Sequence, residues 1–261
     1  MSVFPVFNRV KQCRHGQMIY NVNDMFVGRS LDVYGEFSEG EIGLFGELVQ
    51  PGQSVVEIGA NIGAFTVFLA QHVGRQGVVL AIEPQRLVFQ TLCANLALNS
   101  ITNVACFQQA SGAQHGSLHV PQLDPLVVNN FGGLALGEYQ RGQVVAVVPL
   151  DAFNLQRCDF IKIDVEGMEE DVLRGAVETI ARCRPIMYVE NDRPEKCESL
   201  IRYIASLGYR MYWHCPPLFN PSNFLGNPEN VFGELLSANL ACFHRDAVQR
   251  VPAHVQEALP S

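Results

Sequence analysis

Two glutamates and a bend of small residues supply the first chemistry in this chain. In the stretch 54–66, Ser-Val-Val-Glu-Ile-Gly-Ala-Asn-Ile-Gly-Ala-Phe-Thr, Glu57 runs into a turn bracketed by Gly59 and Gly63. Glycine lets the main chain approach a ligand closely, and the helix that follows opens on unpaired N–H groups. The spacing is G-x-x-x-G, not the G-x-G-x-x-G that cradles a pyrophosphate. A carboxylate beside the turn repels a diphosphate and suits a ligand with an ammonium group. A second acid, Glu83, ends the next apolar run, 77–82. At the tip of the second strand of a doubly wound sheet, such an acid is placed to grip two ribose hydroxyls. S-adenosylmethionine carries both groups and a sulfonium. The competing reading, in which both acids cap helices and the glycines make tight turns, is weakened by their joint occurrence in one βαβ unit.

Were S-adenosylmethionine to act as a group donor, the transfer would be an in-line displacement in which alignment dominates, worth about 7–11 kcal/mol. An alcohol acceptor must also shed its proton, to a base or with the help of a metal. Asp164 ends the fourth core strand and Glu190-Asn191-Asp192 ends the fifth. Their tips are neighbours in a doubly wound sheet, where Asp164, Glu190 and Asn191 would offer hard oxygen ligands to Mg²⁺ or Mn²⁺. Alternatively Asp164 is a helix cap and Glu166 a solvated acid of the first turn. As a catalytic base, Glu166 faces the expectation that a helix N-terminus lowers its pKa. Of His115, His119, His214 and His244, none in a motif, His214 is the preferred candidate base. Residues 214–230 are dense in turn residues, aromatics and amides. There Phe219, Asn220, Asn223 and Phe224 read either as a lid over a sugar or as a rigid surface connection.

The elements that must position these residues alternate. Strands at 54–58, 77–82, 104–108, 159–164 and 185–190 are separated by helices at 63–73, 85–98, 168–181 and 195–206. Residues 1–50 read as a small lead-in, a hairpin or extended cap around 18–20 and then a short helix over 39–49. The stretch 110–142 reads as a long functional loop, 144–149 as an extra strand, and 209–213 with 240–243 as a closing antiparallel pair. Residues 51–246 then form the main domain and 247–261 a loose tail. The expected class is α/β, a doubly wound, mostly parallel sheet with ligands at the strand C-terminal ends.

Composition narrows the partners. With 18 Lys and Arg against 26 Asp and Glu, the formal net charge of −8 leaves no basic footprint, which argues against a nucleic-acid partner. Eight scattered cysteines without a C-x-x-C pair read as reduced core thiols of a cytoplasmic protein. No apolar run reaches membrane-spanning length, and the N-terminus shows no basic segment ahead of an apolar core.

Three segments together resemble the FkbM family of methyltransferases: Glu57-Ile-Gly-Ala-Asn-Ile-Gly63, Ala81-Ile-Glu-Pro84 and Ile161-Lys-Ile-Asp-Val-Glu-Gly167. Tyr34-Gly35-Glu36 and Asn95-x-x-x-Asn99 agree, so the resemblance covers roughly residues 30–215. It implies the class I methyltransferase fold, Rossmann-like, a seven-stranded sheet with its last strand antiparallel. It also implies methyl transfer from S-adenosylmethionine, commonly to a hydroxyl of a sugar, glycan or secondary metabolite. Glu57, Gly59, Asn61 and Gly63 would hold the methionine end, Glu83 the ribose, and Ala110 or Ser111 the adenine. The tip acids are also similar to those of metal-dependent O-methyltransferases, although Gly167 stands where those families place Lys or His. Transfer to nitrogen, or a non-catalytic nucleoside-binding protein of the same fold, are the alternatives.

Overall fold

In the computed structural model, which describes residues 5–137, 139–246, 251 and 256–258, the apolar runs assemble one large sheet. The chain opens with a hairpin, β1 (Asn8–Cys13) and β2 (Gly16–Asn21), then two helices, α1 (Val27–Tyr34) and α2 (Glu39–Leu48). The alternating part follows as β3 (Ser54–Ile58), α3 (Ala64–Val73), β4 (Val78–Ile82), α4 (Arg86–Leu98) and β5 (Val104–Phe107). A side sheet comes next, β6 (Ala110–Ser111), β7 (Gly116–Val120) and β8 (Gln143–Val148). The chain returns through β9 (Phe160–Ile163), α5 (Glu169–Arg174), α6 (Val177–Cys183), β10 (Ile186–Glu190) and α7 (Pro194–Ser206). It closes with β11 (Tyr209–His214), β12 (Asn239–His244) and β13 (Gln256–Ala258).

The main sheet has the order β13-β11-β12-β10-β9-β3-β4-β5. Its five strands from β10 to β5 are parallel, and β12 runs antiparallel between β10 and β11. The chain reverses direction across the sheet between β3 and β9, and a crevice opens at such a switch point. Val55, Val56, Glu57 and Ile58 are all buried, the continuous burial of a central parallel strand covered on both faces. The lead-in shares that core: Ile42, Leu44, Phe45 and Leu48 of α2 cluster with Val55, Val79, Phe160 and Tyr188.

The class and the alternation agree with the expectation, and the closing antiparallel pair forms. Several details differ. The sheet has eight strands rather than seven, because Gln256–Ala258 of the expected loose tail pairs with β11. The stretch 110–142 carries β6 and β7. The helix expected over 168–181 is two, α5 ending at Gly175, where the Gly112 main chain runs so close that a Cβ would lie 2.0 Å from its carbonyl oxygen. Among the described residues no helix is long and apolar enough to cross a membrane.

Candidate active site

The turn after β3 is tied to both neighbouring strands. Gly59 and Ala60 donate their N–H groups to the Ile82 carbonyl at 3.0 Å each, and Asp164 donates to the Ile58 carbonyl at 3.0 Å. Gly59 has φ +83°, and a Cβ there would sit 1.7 Å from the Asp164 carbonyl oxygen. Only glycine lets the tips of β3 and β9 meet. Glu83, at the tip of β4, then clamps the turn: its Oε2 accepts from Asn61 N at 3.0 Å and its Oε1 from Gln85 N at 2.8 Å. Burial pushes the Glu83 carboxyl up to about 7, against those two hydrogen bonds.

Gly59, Asn61, Glu83 and Ser111 line one cavity at this crevice. The Ser111 hydroxyl is buried there with no hydrogen-bond partner among the described residues. Glu57 and Gly63 stand behind the lining. Glu57 is fully buried; its Oε2 accepts from Thr66 Oγ1 at 2.6 Å, while Oε1 has no hydrogen-bond partner among the described residues. Burial lifts its carboxyl to about 7 although Lys162 works in the other direction.

Lys162 was not singled out in the sequence, yet it is the cation of this site. Its side chain is buried on β9, lines the cavity, and lies 4.9 Å from the centre of the Phe65 ring. Its Nζ donates to Asp164 Oδ2 at 2.8 Å, and the charges of Asp164, Glu57 and Glu41 hold its pKa above the ordinary lysine value despite burial. Glu41 comes from α2, lines the same cavity, and accepts from Ser38 Oγ at 2.6 Å. The visible signal for Lys162 was an ionisable residue inside an apolar strand, where an unpaired charge is costly. Glu41 gave no such local signal.

Asp164, Glu166 and Glu190 bring carboxylate oxygens within 4.8 Å of one another. All three line the cavity, with Asp192. Glu166 sits at φ +59° ahead of α5, where Arg193 Nη2 donates to its Oε2. Burial, then the charge of Asp164, lifts its carboxyl to about 7. The lowered pKa expected at a helix start does not arise, because α5 begins only at Glu169. It is Glu169 whose Oε1 accepts from Val165 N at 3.2 Å and Gly167 N at 2.9 Å. Glu190 has its Oε2 buried without a hydrogen-bond partner among the described residues, and burial followed by repulsion from Asp164 holds its carboxyl well above the usual range.

Two candidates do not join this cluster. Asn191 donates its amide to Cys197 Sγ at 3.3 Å and is absent from the cavity lining, so Glu166 takes the place expected for it. His214, at the end of β11, has its Nδ1 2.8 Å from the Tyr188 hydroxyl and also lies off the cavity. The expected lid residues lie off the cavity and are tied to the lead-in: Asn220 Nδ2 and Phe224 N both donate to the Glu36 carboxylate, and the Phe219 ring lies 5.5 Å from that of Tyr34, tilted by 52°. The walls come instead from Phe26, Phe37, Asn130, Leu134, Leu136, Leu218 and the run 235–238.

The family model described as Methyltransferase FkbM domain matches residues 57–211, more than half of the chain. "Methyltransferase 1" of Beauveria bassiana is 31% identical over 143 residues, 46% of this chain and 57% of that protein. "Methyltransferase sdnD" of Sordaria araneosa is 29% identical over 157 residues, 48% of this chain and 60% of that protein. The chain thus spans under two thirds of these curated relatives. Among solved structures, a methyltransferase FkbM from Methylobacillus flagellatus KT aligns with a TM-score of 0.51 and 20% identity, over 78% of this chain and 50% of that one, a likeness of fold.

Proposed function

The chain belongs to the FkbM methyltransferase family, and from that premise we propose that it moves a methyl group from S-adenosylmethionine to a hydroxyl of a small acceptor, a sugar, glycan or secondary metabolite. One observation carries the reading: the turn at Gly59–Asn61 and the acid Glu83, joined by the Asn61 N–Glu83 bond, line one cavity with an unpartnered buried Ser111 hydroxyl. Buried polar atoms are ordinarily paired, so Ser111 Oγ and Glu57 Oε1 suit a polar ligand. Glu83 keeps lone pairs for two ribose hydroxyls, Ser111 suits the adenine end, and Glu57 adds a negative charge behind the turn that favours the ammonium. When bound, S-adenosylmethionine supplies a methyl group made electrophilic by its sulfonium.

At the acceptor end the residues divide the work. Asp164, held by Lys162, accepts a hydrogen bond from the acceptor and orients it. Glu166, with its carboxyl near 7, takes the hydroxyl proton, since a base matched to the working pH is the effective one. A hard divalent cation is the second reading, favoured by three carboxylates within 4.8 Å and the partnerless Glu190 Oε2. Lys162 and Arg193 already neutralise two of the three, which puts the base first. A net charge of −8 supports a small acceptor over nucleic acid. Eight free cysteines support a reducing compartment, the cytoplasm.

Incubation with S-adenosylmethionine and an acceptor panel, read as S-adenosylhomocysteine released and methylated product by mass spectrometry, tests this reading and separates oxygen from nitrogen transfer. Glu166→Gln should stop release while S-adenosylhomocysteine still binds; undiminished release would remove Glu166 from the role.

A further inference from the structure

The cavity draws part of its wall from residues outside the span shared with the family, 57–211. Beyond that span lies a short antiparallel ribbon. Pro217 bridges to Leu236, Leu218 N donates to the Leu235 carbonyl at 3.1 Å, and Ser237 N donates to the Pro216 carbonyl at 3.0 Å. This pairing fixes the main chain, so the side chains on it are presented rather than loosely placed. Leu218, Leu235 and Leu236 all line the cavity, yet Leu235 is 41% and Leu236 53% exposed. Leu134 and Leu136 add apolar wall from the 130–136 stretch, and Phe26 adds more from the lead-in.

Leucines held open to water beside a cavity are uncompensated until something apolar covers them. Sugars are gripped by planar polar side chains, and of the ribbon residues that line the cavity Ser237 alone is polar, its hydroxyl already accepting from Asn239 Nδ2 at 2.8 Å. The other end of the acceptor space is fixed by charge. Asp164, Glu166, Glu190 and Asp192 converge there, with the Glu190 Oε2 buried and partnerless. That oxygen has room for a hydrogen-bonding partner, and a carboxylate or phosphate on the acceptor would meet no free counter-charge, because Lys162, the one cation lining the cavity among the described residues, is already paired with Asp164.

We infer that the acceptor is an amphiphile: an apolar body of several carbons seated on the leucine ribbon, with an uncharged or cationic donor group, hydroxyl or amine, entering the acid cluster. Leu218, Leu235 and Leu236 are then the specificity-determining residues. This rests on the methyltransferase reading and narrows its acceptor class.

The test uses the full chain saturated with S-adenosylhomocysteine, titrated with octan-1-ol, octylamine, octanoate and methyl glucoside, and followed by saturation-transfer NMR and calorimetry. Octanol and octylamine should bind, roughly tenfold or more tighter than octanoate or methyl glucoside. Leu236→Asp, at an exposed position where folding should survive, should lose that preference while S-adenosylhomocysteine affinity holds; Leu235→Ser provides a second variant. Equal binding of octanoate, tighter binding of methyl glucoside, or unaltered octyl binding in both variants would overturn the inference and leave the methyltransferase reading standing. Absence of S-adenosylhomocysteine binding to folded protein would overturn both.

Discussion

Lys162 Nζ lies 2.8 Å from Asp164 Oδ2, two residues along the same chain, with the lysine buried and the acid one-third exposed to the cavity. Residues i and i+2 of an extended segment share a face, so this spacing brings the cation under the acid without any longer-range device. The same ammonium faces Glu57 and Glu41, and it joins the lead-in, the end of β3 and the acid cluster.

Replacing that cation should be expensive. Lys162→Met leaves buried acids without their counter-charge, a change that costs about 3–5 kcal/mol where a buried pair is broken from one side. Urea unfolding measures it; a loss within experimental error would mean that the three acids are not held by Lys162.

Glu83 gives a pH signature. Its carboxyl is raised from 4.5 to about 7, so the protonated form is favoured by folding. The stability this contributes is complete below the unfolded value near 4.5 and is lost as pH rises through about 7. The melting temperature of the ligand-free protein should fall between pH 5 and pH 8, flattened in Glu83→Gln by up to about 1.4 kcal/mol per pH unit. In Glu83→Ala, S-adenosylhomocysteine affinity should drop about tenfold to hundredfold, the worth of hydrogen bonds to a charged acceptor. Unchanged affinity would take the ribose away from Glu83.

The rate of transfer should rise with pH through about 7 as Glu166 loses its proton, then level off. Arg193 holds that carboxyl down, so Arg193→Ala should move the inflection to higher pH. A profile that is flat, or moves to lower pH in the variant, contradicts a basic role for Glu166.

Chelation separates the two acceptor chemistries. With Glu166 as the base, EDTA leaves turnover unchanged and added Mn²⁺ does not restore an inactive Asp164→Asn. Loss of activity in EDTA with recovery on Mn²⁺ would move the cation to first place.

Much of this was legible in the chain. Buried parallel strands read as apolar runs, unbroken in β4 and interrupted once by Glu57 in β3 and by Lys162 in β9, so all three stood out, and the G-x-x-x-G turn with Glu83 located the cavity. What was missed depends on contacts distant in sequence. Glu41 reaches the site because α2 packs against the centre of the sheet, and α5 ends at Gly175 where the distant Gly112 main chain runs beside it. Asn191 had the right position along the chain, but α7 places Cys197 where its amide can reach it. Glu166 followed the helix rule only on paper, since α5 starts three residues further on and burial beside Asp164 raises the carboxyl instead.

The most direct measurement is calorimetric titration of the folded protein with S-adenosylmethionine and with S-adenosylhomocysteine. The account requires saturable one-to-one binding of both, lost together when Gly59→Ala forces a side chain onto the Asp164 carbonyl. A folded, monodisperse sample that gives no binding heat and no thermal shift with either compound would contradict it.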